Sequence, residues 1–198
     1  MTGTRDAFPA SWMVESACGI VHANFGRVAV VVIPSSVQSL FADSGWRGDS
    51  GCRVSSGDGE HPGDAILREF GGLIVGASAS GQTCARMGLV FHALARKDHQ
   101  IDAWEQALGT TMIGFAEDDL GYAEFYVDAQ GRVFSTNCVV DGVHLCGFTF
   151  GEAVERTLLG RVSIPLLLDR RATIACCGEV LTIDDPRVMT VHQLLART

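Results

Sequence analysis

The hydrophobic residues fall into short runs separated by turn-forming residues, which is typical of a chain that alternates strands and helices. The run "GRVAVVVIP" (26–34) is rich in β-branched residues and stops at a proline, so it predicts a buried strand. The next stretch, "SSVQSLFADSG" (35–45), places apolar residues at helical spacing. It predicts a short helix that Ser35 or Ser36 caps and that Gly45 ends.

A loop, a helix and a pair of glycines follow. Residues 47–63 are dense in Gly, Ser, Asp and Pro and predict a long loop. From Asp64, which is placed to cap a helix, apolar residues recur at helical spacing up to Leu73. Gly71 and Gly72 predict a helix stop that lets the chain reverse into a strand, because glycine adopts left-handed backbone without a steric penalty. A phosphate-binding loop is the alternative, but it normally includes a Lys that "FGGLIVG" lacks.

The middle of the chain predicts a helix followed by three strands. "IDAWEQALG" (101–109) predicts one or two helical turns that end at the glycine. The residues from Asp128 to Gly131 have the turn composition of a β-hairpin and connect the last two of the strands. The strands are predicted at residues 110–116, 122–128 and 131–137.

The last part of the chain predicts one more amphipathic helix and a further segment. Thr149 stands three residues before Glu152, and this capping-box signature opens a helix within residues 147–159. Residues 162–198 then hold the apolar stretch "IPLLL" and a predicted short strand "EVLTI". A terminal helix is predicted over residues 185–196.

The composition indicates a folded, acidic protein. Of the 198 residues, 47% are hydrophobic and 19% are charged, which predicts one globular domain with extensions or at most two small domains. The formal net charge is −8. Nucleic-acid binding is driven by Lys and Arg on phosphates, so we predict no direct nucleic-acid contact and favour a basic protein as the partner.

The cysteines and the apolar runs bear on the cellular compartment. The 7 cysteines are an odd set with irregular spacing and predict no disulfide framework. The N-terminus lacks the pattern of a targeting segment, and the most apolar run, "VAVVVI" (28–33), is too short to span a bilayer. We therefore predict a cytoplasmic protein without a membrane segment.

No motif identifies a catalytic residue, a metal site or a cofactor. "GASASG" misses the nucleophile-elbow pattern because Ser80 stands where a glycine is needed. The chain has no Cys-x-x-Cys, which a zinc-dependent deaminase requires. His144 and Cys146 are two residues apart and would share one side of a strand, which is compatible with metal ligation, but no second pair of ligands is evident. We predict a protein that is not an enzyme and that has no cofactor.

Acidic residues are concentrated in one region. Between Phe115 and Gln130 there are five acids and no Lys or Arg, and "EDDLG" falls between two predicted strands. At least three carboxylates are therefore expected to project from one loop. This pattern is compatible with a solvated turn or with a docking patch that accelerates capture of a basic partner. The five acids are Glu117, Asp118, Asp119, Glu124 and Asp128.

Several short patterns occur in a fixed order along the chain. They are a Gly-Trp after the first helix, a Leu-x-x-Phe-Gly-Gly-Leu that closes the second, and an Asp-x-x-Gly-Arg-Val-aromatic hairpin. The residues are Gly45 and Trp46; Leu67, Phe70, Gly71, Gly72 and Leu73; and Asp128, Gly131, Arg132, Val133 and Phe134. In this order the patterns resemble the SUKH superfamily of bacterial immunity proteins, particularly its third branch, and the resemblance covers about residues 36–161.

The resemblance implies an α+β fold with a central mixed or antiparallel sheet flanked by helices. It also implies binding rather than catalysis: such proteins neutralise a cognate toxin, often a nuclease or a nucleic-acid deaminase, by occluding it. Toxins of this kind are expected to be basic because they engage phosphates. The candidate partner-binding residues are the five acids and Trp46. Phe70, Gly71, Gly72 and Gly131 are the residues expected to be structural.

The ends of the chain depart from the family pattern and leave alternatives open. We predict an N-terminal extension over 1–34, a SUKH-like domain over 35–161 and a C-terminal extension over 162–198. One alternative is a SUKH-like scaffold adapted to small-molecule binding or catalysis through Cys138, His144 or Cys146. Another is a structural partner in a homo-oligomer assembled through the apolar segment 162–168, and either flank could form a homodimer interface.

Overall fold

The structure, a computed structural model, describes residues 30–48, 53–55, 60–139, 142–168, 173–176 and 178–197. Within these residues the chain forms five helices, numbered here in chain order. They are α1 (Gln38–Asp43), α2 (Pro62–Phe70), α3 (His99–Leu108), α4 (Phe150–Leu159) and α5 (Val191–Leu195).

Fourteen strands are present among the same residues. The first seven are β1 (Val30–Val32), β2 (Arg53–Ser55), β3 (Ile74–Val75), β4 (Ala79–Ser80), β5 (Ala85–Arg86), β6 (Leu89–Phe91) and β7 (Met112–Asp118). The others are β8 (Ala123–Asp128), β9 (Val133–Asn137), β10 (Val143–Gly147), β11 (Ile164–Leu167), β12 (Thr173–Cys176), β13 (Glu179–Thr182) and β14 (Met189–Thr190).

Eight of the described strands form one sheet in the order β14-β11-β10-β9-β8-β7-β6-β3. Its neighbours are antiparallel, except that β11 and β14 run parallel. The predicted α+β fold with a mixed sheet flanked by helices is therefore confirmed. Two of the eight strands, β11 and β14, come from the segment predicted as a C-terminal extension, so the sheet continues beyond residue 161.

Each face of the sheet has its own hydrophobic core. The first core lies between the sheet and the helices α1, α2 and α4, together with β1. Phe70 is fully buried there, and its ring centroid lies 5.4 Å from that of Phe41 and 5.5 Å from those of Phe91 and Phe150. The second core, on the opposite face, is built by α3 and α5 against β8 to β11 and contains Trp104 and Tyr126.

The glycine pair after α2 forms the predicted helix stop. α2 ends at Phe70, and the N–H of Gly71 donates to the carbonyl of Leu67 at 2.9 Å. Gly72 has a φ of +91°, and its N–H donates to the carbonyl of Phe91 at 2.7 Å. The chain thus turns directly from the helix into β3, beside β6.

Two predicted helix starts are wrong. His61, not Asp64, caps α2, because Pro62 is suited to the first helical position and the His61 ring accepts a hydrogen bond from the N–H of Gly63 at 3.0 Å. No side chain caps α1, whose N-cap is Val37. The hydroxyl of Ser36 instead donates to Glu155 at 2.7 Å.

The predicted hairpin and the helix after it are confirmed. Gly131 has a φ of +84°, and its N–H donates to the carbonyl of Asp128 at 2.9 Å, which closes the turn between β8 and β9. Thr149 accepts a hydrogen bond from the N–H of Glu152 at 3.1 Å and so caps α4. The loop predicted over 47–63 is partly wrong, because it contains β2 and the start of α2. The terminal helix, α5, spans Val191–Leu195 and is therefore shorter than the predicted range of 185–196.

Candidate functional site

Asp128, one of the five candidate acids, is fully buried. Its carboxylate accepts hydrogen bonds from the N–H of Gln130 at 3.0 Å and from the N–H and Nε of Arg132 at 2.9 and 2.6 Å. Burial raises the pKa of Asp128, although the charge of Arg132 acts in the opposite direction. This carboxylate holds the β8–β9 turn, and it is not a surface group that a partner can reach.

Asp118 is also buried. One oxygen of its carboxylate accepts the N–H groups of Tyr122 and Ala123 at 2.5 and 2.7 Å. Its backbone carbonyl accepts the N–H of Gly121 at 3.0 Å. Asp118 is the last residue of β7, so its side chain organises the turn that leads into β8.

Asp119 is held by a neighbouring loop. One of its carboxylate oxygens accepts the N–H of Ser78 at 2.8 Å, and the other accepts the Ser78 hydroxyl at 2.5 Å and the N–H of Gly88 at 3.0 Å. Burial acts to raise the pKa of Asp119, but these hydrogen bonds outweigh it and lower the pKa. The prediction that Glu117, Asp118 and Asp119 project together from one loop is therefore wrong.

Trp46 belongs to the edge of the first core. Its indole Nε1 donates to the carboxylate of Glu69 at 2.8 Å. Its ring centroid lies 5.9 Å from that of Phe41 and 5.6 Å from that of Phe70. The indole is thus engaged in packing between α1 and α2, and a role of Trp46 in partner binding stays a prediction.

The remaining two acids, Glu117 and Glu124, face each other across β7 and β8. They belong to one cross-strand row, in which directly opposed residues point to the same side of the sheet. At one end of the row the side chains are buried in the second core beneath α3 and α5. At the other end, Ile74 is 62% exposed and Glu117 is half-exposed. The row is Ile74, Val90, Glu117, Glu124, Thr136, Val143, Leu166 and Met189.

The second face of the sheet is therefore covered in one half and, within the described residues, uncovered in the other. We call the uncovered part, formed by Ile74, Val90, Glu117 and Glu124, the open face. Its limit is set at Gly114, the next position of β7 on this side. There, a Cβ atom would lie 2.6 Å from Leu94, so the absence of a side chain lets Leu94 cover the sheet.

The two carboxylates of the open face have neutral or weakly basic neighbours. Glu117 lies 3.3 Å from Nε2 of His92, whose Nδ1 lies 3.1 Å from the carbonyl of Ala93. Glu124 accepts a hydrogen bond from the hydroxyl of Tyr126. Among the described residues, neither carboxylate is paired with a Lys or an Arg. Like charges directly opposite one another destabilise a sheet, so this arrangement costs folding free energy.

The hydroxyl of Tyr126 connects Glu124 to α3. It accepts the N–H of Asp98, the N-cap residue of α3, at 2.8 Å while it donates to Glu124. Burial, together with the adjacent Glu124, raises the pKa of Tyr126. The phenol is therefore neutral at physiological pH, and it fixes the orientation of the Glu124 carboxylate at the border between the covered and the uncovered half.

The residues of the metal-binding alternative lie in different environments. Cys146 is buried, with its Sγ 3.3 Å from the hydroxyl of Ser135, and burial raises the pKa of its thiol. Burial lowers the pKa of His144. Cys138 is exposed beyond the end of β9. In the part of the chain that the structure describes, no three His, Cys, Asp or Glu side chains are placed to share a metal ion.

Comparison with known protein families gives one match. The family described as SUKH-3 immunity protein matches residues 64–160. This range begins within α2 and ends at Gly160, the C-cap residue of α4, so it includes the open face. No curated protein and no solved structure matches the chain. Among the described residues, no helix has both the length and the apolar composition needed to cross a membrane.

Proposed function

This chain belongs to the SUKH superfamily of immunity proteins, and from that premise we propose that it neutralises a basic toxin by covering the toxin with its open face. Membership of the family supports an immunity role against a toxin. The proposed toxin class is a nuclease or a nucleic-acid deaminase, because such a protein needs Lys and Arg to engage phosphates. Occlusion of that basic surface would block access of the nucleic acid.

The observation that carries the proposal is the opposition of Glu117 and Glu124. The pair is partly exposed on a sheet face that none of the described helices covers, and it brings two negative charges together at a cost in stability. A cationic partner offsets this repulsion on binding, and the net charge of −8 extends the attraction to longer range. The negative charge of the open face therefore favours binding of a basic partner over an acidic one.

The proposed binding site lies on the sheet and not on the loop predicted from the sequence. Three of the five acids, Asp118, Asp119 and Asp128, accept hydrogen bonds from backbone N–H groups. The proposed contact with the partner is therefore made by Glu117 and Glu124. A carboxylate on a strand is more rigidly placed than one on a loop, which favours a defined geometry of recognition. The acids in the turns stabilise the hairpins that carry these two strands.

A genetic selection tests the proposal and identifies the toxin in the same experiment. Fragments of the source DNA are expressed from an inducible promoter in a bacterial host, with and without the wild-type chain. We expect to recover at least one fragment that kills cells alone, is tolerated with the chain, and encodes a basic domain. Recovery of only acidic or neutral domains, or of no neutralised fragment at all, would contradict the proposal.

A pair of charge-reversed variants adds a matched control to that selection. Glu117→Lys with Glu124→Lys should lose protection. Asp43→Lys with Asp184→Lys changes the net charge by the same amount at exposed positions away from the open face and should retain protection. Loss of protection in both variants would indicate that only the overall charge matters, and would overturn the assignment to the open face.

A further inference from the structure

We propose that the turn between β7 and β8, together with the chain that follows β9, is an apolar anchor that inserts into an apolar pocket on the basic partner. This inference rests on the proposed function and adds the chemistry of the contact. Three large apolar side chains are exposed at this end of the sheet: Leu120 at 59%, Tyr122 at 52% and Val139 at 73%. We call these three residues the apolar tip.

The three residues lie on two chain segments that a backbone hydrogen bond joins. Tyr122 directly precedes β8, and its carbonyl accepts the N–H of Cys138 at 2.9 Å, which extends the ladder between β8 and β9 by one step. Val139 is the next residue after Cys138, and Leu120 lies two residues before Tyr122 on the connecting turn. The apolar tip is thus formed by the two chain segments that meet where the hairpin ends.

The backbone beneath the tip is held on both sides. The Asp118 carboxylate accepts the N–H of Tyr122, and the Asp119 carboxylate accepts the N–H groups of Ser78 and Gly88. The N–H of Asp119 also donates to the carbonyl of Gly88 at 3.2 Å. A turn fixed in this way loses little conformational entropy on binding, which is the condition under which exposed apolar side chains contribute most to affinity.

The apolar tip adjoins the acidic open face. Tyr122 directly precedes β8 and stands two residues before Glu124, so the apolar tip and the open face meet at the start of this strand. Glu117 lies directly opposite Glu124. The surface therefore combines an aromatic anchor with charged neighbours, which is the usual division between the energetically dominant residues of an interface and its rim.

The charge of this surface favours a basic protein over a second copy of the chain. In a two-fold symmetric dimer the same patch meets itself. The carboxylates Glu117 and Glu124 of one copy would then lie close to those of the other, and like charges at an interface are unfavourable. A basic surface that has an apolar pocket satisfies both halves of the patch.

Site-specific photo-crosslinking in cells of the source organism tests the occupant directly. A photoreactive amino acid replaces Leu120, and a control chain carries it in place of Val180, which is 71% exposed on β13. We expect residue 120, but not residue 180, to crosslink to one protein with an excess of Lys and Arg. A crosslink of residue 120 to a second copy of the chain, or no crosslink at residue 120, would overturn the inference.

The second readout is the kinetics of binding between the chain and the purified partner that crosslinking identified. Leu120→Ala and Tyr122→Ala should each raise the dissociation rate constant at least tenfold and change the association rate constant less than twofold. Val180→Ala should change neither rate constant. Thermal unfolding of each variant establishes that it is folded. If both tip variants dissociate from the partner with the same rate constant as wild type, the inference is overturned.

The outcomes separate this inference from the proposed function. If the selected toxin is neutralised equally well by wild type and by the tip variants, the immunity role stands and the anchor is wrong. If binding of the basic protein identified by crosslinking depends on the apolar tip, but that protein is not toxic, the anchor stands and the immunity role against that protein is wrong.

Discussion

Glu117 on β7 and Glu124 on β8 lie directly opposite one another in the sheet, on the half of its second face that α3 and α5 leave uncovered. Each carboxylate has a contact of its own: Glu117 with His92, and Glu124 with the hydroxyl of Tyr126. Neither contact neutralises the repulsion fully, because Tyr126 is uncharged and His92 is half-exposed. The pair is thus a local cost in folding that a cationic partner relieves.

Removing one of the two charges should stabilise the free protein. We expect Glu117→Gln to raise the free energy of unfolding by about 0.2–1 kcal/mol, the range for cross-strand pairs. The same change should slow association with a basic partner. Urea unfolding measures the first effect. A lower stability of Glu117→Gln would show that the contact with His92 outweighs the repulsion from Glu124.

Asp118 should be a stability determinant. Asp118→Ala leaves the N–H groups of Tyr122 and Ala123 without their acceptor, so we expect a loss of about 1–3 kcal/mol in the free energy of unfolding. Asp118→Asn keeps an oxygen at the same place and should cost less. Equal stability of Asp118→Ala and wild type in urea would contradict the structural role given to this carboxylate.

Asp119 should make the protein less stable in acid. Its pKa in the folded state is lowered from the ordinary value of 3.8, so the folded protein binds this proton less readily than the unfolded chain. The stabilisation is therefore fully present above that value and is lost as the pH falls through the folded pKa. The stability difference between wild type and Asp119→Asn should shrink below a pH of about 4. A difference independent of pH would contradict this linkage.

Gly72 should tolerate only residues that adopt a positive φ. Gly72 has a φ of +91°, and a Cβ atom added there would meet no atom within 4 Å. The penalty for a side chain therefore comes from the backbone conformation rather than from crowding by neighbours. We expect Gly72→Ala to lower the free energy of unfolding by about 1–2 kcal/mol. Gly72→Asn should cost less, because Asn visits this region more readily. A neutral Gly72→Ala would contradict the conformation assigned to the turn.

Features with local causes could be predicted from the sequence. The helix stop at Gly72 and the turn that ends at Gly131 each depend on a glycine with a positive φ beside its own element. The cap of α4 likewise depends on Thr149 and the N–H of Glu152, three residues later. In each case the determining residues lie within one turn of the chain, where composition and spacing are informative.

The roles of the acids could not be predicted in the same way. Asp119 is held by Ser78 and Gly88, which lie in a different part of the chain, and the sequence pattern does not indicate that approach. The pairing of Glu117 with Glu124 depends on the register of β7 and β8, which shifts between Gly114 and Ala116. A one-residue difference in register reverses which side chains share a face. The open face therefore emerged only from the three-dimensional arrangement.

The most direct measurement is the association rate of the chain with the toxin domain recovered by selection, followed by stopped-flow at low and high salt. Glu117→Lys with Glu124→Lys should associate at least tenfold more slowly than wild type at low salt, and the gap should narrow as salt screens the charges. Asp43→Lys with Asp184→Lys should stay much closer to wild type. Equal association rates for the two double variants at low salt would contradict recognition through the open face.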